Sequence, residues 1–104
     1  MLTKKLKILS EFKTALPLFN VEKIKVLLQY EDGRTLEKNS VSILSEENGM
    51  IELALSDFEV QGLKVGKSSF IAKIYMKDGS LYTVNFAGGC NIAIDEKSQR
   101  KVWL

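Results

Sequence analysis

A chain of 104 residues, 45% hydrophobic and 27% charged with a formal net charge of +2, has the length of one domain that buries a core without staples and the composition of a soluble globular protein. Its basic residues are interspersed with acids, so charge alone implies no nucleic-acid partner. One cysteine and no histidine exclude an internal disulfide, a typical zinc site and a Cys-His dyad.

In the first eighteen residues Leu2, Leu6, Leu9 and Phe12 approximate a helical spacing, while Leu6, Ile8, Ser10 and Phe12 alternate. The alternation is favoured, and residues 1–20 are expected to be an amino-terminal strand or arm, with helix as the other possibility. Lys4, Lys5, Lys7 and Lys13 read as a solvated face, because no aromatic ladder accompanies them. Ser10 and Glu11 interrupt any apolar run, so neither a cleaved signal peptide nor a membrane span is expected. Pro17 limits the residues after it to an edge, a bend or an extended connection.

Residues 23–30 are the first clear strand, with Ile24, Val26, Leu28 and Tyr30 alternating into Asp32-Gly33. The same pattern returns when Phe70, Ala72, Ile74 and Met76 alternate into Asp78-Gly79, and two such signals announce hairpins. A two-residue Asp78-Gly79 loop would leave Tyr82, Val84 and Phe86 on the face that carries Lys73 and Lys77. A three-residue Lys77-Asp78-Gly79 loop sets Ile74 opposite Tyr82, Ala72 opposite Val84 and Phe70 opposite Phe86, so that the apolar side chains share one face. Glu31-Asp32-Gly33 likewise sets Leu28 opposite Leu36. Gly33 and Gly79 are therefore predicted as structural turn residues, with positive φ in bulged turns.

Between the hairpins, residues 41–44 and 50–55 read as strands joined by the polar loop Ser45, Glu46, Glu47, Asn48, Gly49. Ser56 and Glu59 have capping-box spacing, and Gly62 limits the helix beyond them to one or two turns. After residues 81–86, Gly88-Gly89 marks a break before Ile92 and Ile94. Residues 96–104 are a carboxyl-terminal tail, polar until Val102, Trp103 and Leu104. The whole reads as a single all-β domain, residues 1–104, an antiparallel β-sandwich of about seven strands with one short helical turn near Ser56 to Gly62. A small barrel is the alternative. Ile24, Val26, Leu28, Ile51, Leu53, Leu55, Phe70, Ile74, Val84 and Phe86 form the expected core.

No catalytic, metal-binding or cofactor-binding residue is predicted, and the chain is expected to be non-enzymatic. Asp32, Asp57, Asp78 and Glu59 are accounted for by turns and caps, and Glu46-Glu47 and Asp95-Glu96 lie in polar loops. Cys90, between glycines and Asn91, reads as a small semi-buried thiol. Leu27, Ile71, Tyr75 and Leu81 fall opposite the core stripe and, with Trp103 and Leu104 at the end, are the candidate protein interface.

The order of Tyr30-Glu31-Asp32-Gly33, Asn48-Gly49-Met50-Ile51-Glu52-Leu53, a short turn to Gly62-Leu63-Lys64-Val65-Gly66, then Phe70 to Tyr75 and Asp78-Gly79-Ser80 resembles the immunoglobulin-like sandwich domains of tailed-phage virion proteins. The nearest variety is the amino-terminal domain of baseplate upper proteins, and the similarity covers residues 23–95. It implies an immunoglobulin-like fold and a structural subunit of a baseplate, tail or head-attached module. It also implies a virion location, with assembly in the host cytoplasm. Other virion proteins and copies of the chain itself are the implied partners, with no nucleic acid and no membrane. Two alternatives stand beside it: a carbohydrate-binding or adhesion sandwich using Tyr75 and Tyr30, and a small inhibitor or adaptor that binds one host protein through a sheet edge.

Overall fold

The computed structural model describes residues 2–10, 12–39 and 41–104; Met1, Glu11 and Ser40 lie outside the described residues. The elements run β1 (Leu2–Lys7), β2 (Val21–Gln29), β3 (Thr35–Lys38), β4 (Val41–Ser45), β5 (Met50–Leu55), α1 (Asp57–Gly62), β6 (Gly66–Met76), β7 (Leu81–Ile94) and β8 (Lys101–Trp103). They build two antiparallel sheets, one in the order β1-β5-β4 and the other β3-β2-β6-β7-β8, so that β2 lies between β3 and β6. One apolar core draws on both sheets, with Ile51, Leu53 and Leu55 from the smaller and Ile24, Val26, Leu28, Phe70, Ala72 and Ile74 from the larger. This is an all-β, sandwich-like fold.

Both long hairpins have the expected register. Leu28 faces Leu36, Ile74 faces Tyr82, Ala72 faces Val84 and Phe70 faces Phe86. Gly33 and Gly79 each have φ of 90°, the left-handed conformation that closes a three-residue bulged turn. The amide of Gly79 donates to the Met76 carbonyl at 3.0 Å, and that of Met76 donates to the Ser80 carbonyl at 2.9 Å. Asp32 and Asp78 brace the turns by accepting from the amides of Arg34 and Ser80.

The amino-terminal strand forms, but its alternation ends at Ile8. The chain turns back so that Leu9 pairs with Ala15, and Phe12, in phase with buried Ile8, is 78% exposed. Gly88-Gly89 is a bulge and not a break: the ladder shifts between Ser68 and Phe70, and β7 runs on through Ile94. The tail, too, is partly structured. Its turn is held by the Gln99 amide donating to the Asp95 carbonyl at 2.7 Å, and Lys101, Val102 and Trp103 then pair with Ile94, Ala93 and Ile92. Eight of the ten expected core residues are buried, and Val84 and Phe86 are half-buried against that core. The β6–β7 hairpin outreaches the shorter sheet facing it, in a molecule measuring 46 × 23 × 23 Å.

Candidate interaction surface

Alternation in β2 and β6 sends Ile24, Val26, Leu28, Phe70, Ala72 and Ile74 into the core, so the residues between them face outward. Register then aligns those outward residues in rows across the five-stranded sheet. Leu27 pairs with Ile71, which pairs with Asn85; Lys25 pairs with Lys73, which pairs with Thr83; Lys23 pairs with Tyr75, which pairs with Leu81. Four of the six candidate interface residues therefore meet on one sheet face, in two rows either side of Lys25 and Lys73: Leu27 and Ile71, bounded by Glu37 and Asn85, and Tyr75 and Leu81, bounded by Lys23.

The lysines condition that face. Lys23 Nζ lies 4.8 Å and Lys25 Nζ 5.7 Å from the Tyr75 ring centre, within reach of cation–π attraction. Lys25 also pairs with Glu37 at 3.2 Å, which joins β3 to the same patch. Leu27, Ile71 and Tyr75 are half-buried and Leu81 is exposed, in keeping with lysine stems that lie along apolar neighbours and keep their charges in water. Sequence reasoning missed Lys23 and Lys25 as parts of the site. Their period-two spacing with Leu27 was the available signal.

The remaining two candidates are elsewhere. Trp103 is only 8% exposed and stands edge-on to Phe70 with ring centres 5.8 Å apart, while Phe70 stacks on Phe86 at 4.6 Å. It is a core residue, because β8 turns it inward. Leu104 is exposed but lies past β8, where its amide donates to the Asn91 carbonyl at 2.9 Å and its carbonyl accepts from Lys4 Nζ at 3.3 Å. Tyr30 is engaged as well: Arg34 stacks 5.5 Å from its ring centre, and a Cβ on Gly62 would come within 2.9 Å of its ring.

A groove of about 570 Å³ opens where the hairpin overhangs the smaller sheet, between Lys7, Leu9, Phe12, Lys13 and Leu16 on one side and residues 82–86 on the other. Sequence reasoning missed it, since it depends on the turn-back after Ile8. Three titratable groups away from these rows are shifted by their own neighbours. The Arg34 amide and guanidinium hold Asp32 below the usual carboxylate range, and the Ser80 hydroxyl and amide do the same for Asp78. Burial pushes the Cys90 thiol up, against a hydrogen bond from Ser68 and the charge of Lys4. Among the described residues no three His, Cys, Asp or Glu side chains are grouped to hold a metal ion, and no helix is long and apolar enough to cross a membrane.

The chain matches no protein-family model, no curated protein and no solved structure.

Proposed function

We propose that this protein is a non-enzymatic structural subunit that works by packing against other proteins through the outer face of its five-stranded sheet, as part of a tailed-phage particle. One observation carries the packing role: Leu27 of β2 and Ile71, Tyr75 and Leu81 of the β6–β7 hairpin are brought side by side on the outer face by the register of three strands. A rigid sheet presenting aliphatic and tyrosine side chains loses little conformational freedom on association. Lys23 and Lys25 already sit over Tyr75, so the face offers charge alongside its apolar contacts. The location in a phage particle rests on the resemblance over residues 23–95.

The test is mass spectrometry of purified particles from the source, together with a Leu27→Lys, Ile71→Lys double variant. The chain is expected in the particles, and the folded double variant is expected to be left out of them. Absence of the unaltered chain from particles contradicts the proposal.

A glycan-binding module is the second reading, and the groove favours it, because Tyr82 and Phe86 line one wall and aromatic faces suit sugar rings. In that case glycan-array binding is lost in Tyr82→Ala and kept in the Leu27→Lys, Ile71→Lys variant.

A further inference from the structure

We propose that β4 (Val41–Ser45) is the strand through which two copies of this chain pair edge to edge about a two-fold axis. The inference goes beyond the outer-face reading, since it uses a different surface and stands without it.

Among the described residues the sheets end in β1, β4, β3 and β8, and three of these end strands are guarded; β7 has a further edge, residues 81–90, that β8 does not reach and that the Gly88-Gly89 bulge interrupts. Exposed strand edges invite pairing with another chain unless charges, shortness or a covering segment prevent it. Along β1 lie Lys4, Lys5 and Lys7, and β3 carries Glu37 and Lys38 in a four-residue strand. The edge of β8 is covered by the helix: the Lys101 amide donates to Gln61 Oε1 at 2.8 Å, and Gln61 Nε2 donates to the Lys101 carbonyl at 3.0 Å. The β4 sequence Val-Ser-Ile-Leu-Ser has no charge, and Ile43 and Leu44 are 39% and 48% exposed.

The ladder also shows which backbone groups β4 offers. The Ile8 amide donates to the Gly49 carbonyl at 2.8 Å, in register with the adjoining β1–β5 pairs. Because an antiparallel strand sends its backbone groups alternately to one side and the other, Ile51 and Leu53 bond towards β1 and Glu52 towards β4. Glu52 sits opposite Ser42, so Ser42 is engaged by β5, and Val41 and Ile43 direct their N–H and C=O groups to the free edge.

A two-fold axis at Ser42 satisfies these groups. Val41 then lies opposite Ile43 of the second copy, and each such pair exchanges both of its N–H···O bonds. Val41 and Ile43 stand opposite Leu53 and Ile51 in their own sheet, so the core-facing apolar side continues across the junction. The register shift between Ile43 and Ser45 confines the regular pairing to residues 41–43. The interface is isologous, and it brings no like charges together, whereas β1 paired with itself would oppose lysines.

Sedimentation velocity over a concentration series, with amide hydrogen exchange on the unaltered chain, tests this. A dimer fraction that rises with concentration is expected, with exchange at Val41 and Ile43 slowed in step and exchange at Ser42, already bonded within the sheet, unchanged. Val41→Pro removes a free-edge donor without touching the β5 ladder, and Ile43→Lys adds a charge; each is expected to weaken association at least about tenfold, a loss of about 1.4 kcal/mol. Leu27→Lys, which probes the outer face, leaves this dimer intact. A chain that is monomeric throughout, a dimer without protection at Val41 and Ile43, or a dimer that survives both variants in folded form overturns the proposal. If either variant fails to fold, the exchange pattern of the unaltered chain decides.

Discussion

Gly49 and Gly79 both have positive φ, but only one of them is hemmed in. At Gly79, φ 90°, a Cβ would meet nothing within 4 Å, whereas at Gly49, φ 66°, it would lie 2.5 Å from the Leu16 carbonyl oxygen and 2.9 Å from that of Ile8. Those two carbonyls belong to the loop that returns the chain after β1, and Ile8 bonds both Gly49 and Leu16. The loop cannot retreat without losing those bonds. Gly79→Val is thus expected to cost at least ~1 kcal/mol from backbone strain alone. Gly49→Ala, the smaller side chain, is expected to cost more, on the order of 3 kcal/mol, because overpacking against backbone adds to the strain. Urea unfolding of the two variants checks the order, and equal losses would place the constraint in φ alone.

At the scale of the element, α1 shows how a six-residue helix is held. Ser56 and Glu59 form a reciprocal capping box, and Glu59 also accepts from Lys38 Nζ at 3.0 and 2.9 Å, which ties the helix to β3. Partial burial on its own would raise the Glu59 pKa, but the Ser56 amide and Lys38 outweigh it and hold the group below its ordinary value. A depressed carboxylate contributes stability that is complete above the unfolded pKa of about 4.3 and is lost as pH falls through the lower folded value. Glu59→Gln keeps a capping side chain but not the charge. The difference in thermal midpoint between it and the unaltered chain is expected to be widest above about pH 5 and to narrow toward pH 3. A difference that is constant with pH would show that the charge contributes nothing.

The last strand gives a second prediction at this scale. Trp103→Ala should destabilise the fold by roughly 3 kcal/mol, as expected for a buried aromatic, with equilibrium unfolding as the check; a surface anchor would cost almost nothing. This strand also marks where the sequence stops being legible. The hairpins were readable because period-two alternation and glycine turns specify a register together, and that register also brought Leu27, Ile71, Tyr75 and Leu81 to one face. A three-residue strand has no such pattern. What orients Trp103 is Phe70 beside it and Gln61 at its edge, both remote in the chain. Gly88-Gly89 was ambiguous for another reason: glycines mark breaks and bulges alike, and only the resumed pairing of Cys90 with Ser68 distinguishes the two.

For the whole molecule, the proposed packing against other proteins falls to the outer face of the larger sheet and the proposed self-pairing to the far edge of the smaller one. The lysines of that face make the first of these directly measurable, since Lys23 and Lys25 lie over Tyr75 and Lys25 and Lys73 lie between the two rows that hold the apolar residues. Lysine-directed cross-linking of intact purified particles, read by mass spectrometry, reports which neighbours approach them. Cross-links from these three lysines to other particle proteins are expected, lost when Leu27 and Ile71 are both replaced by lysine. Particles that contain the chain but cross-link it only through Lys4, Lys5, Lys7 or Lys13, with the outer-face lysines free, would contradict a packing role for this face.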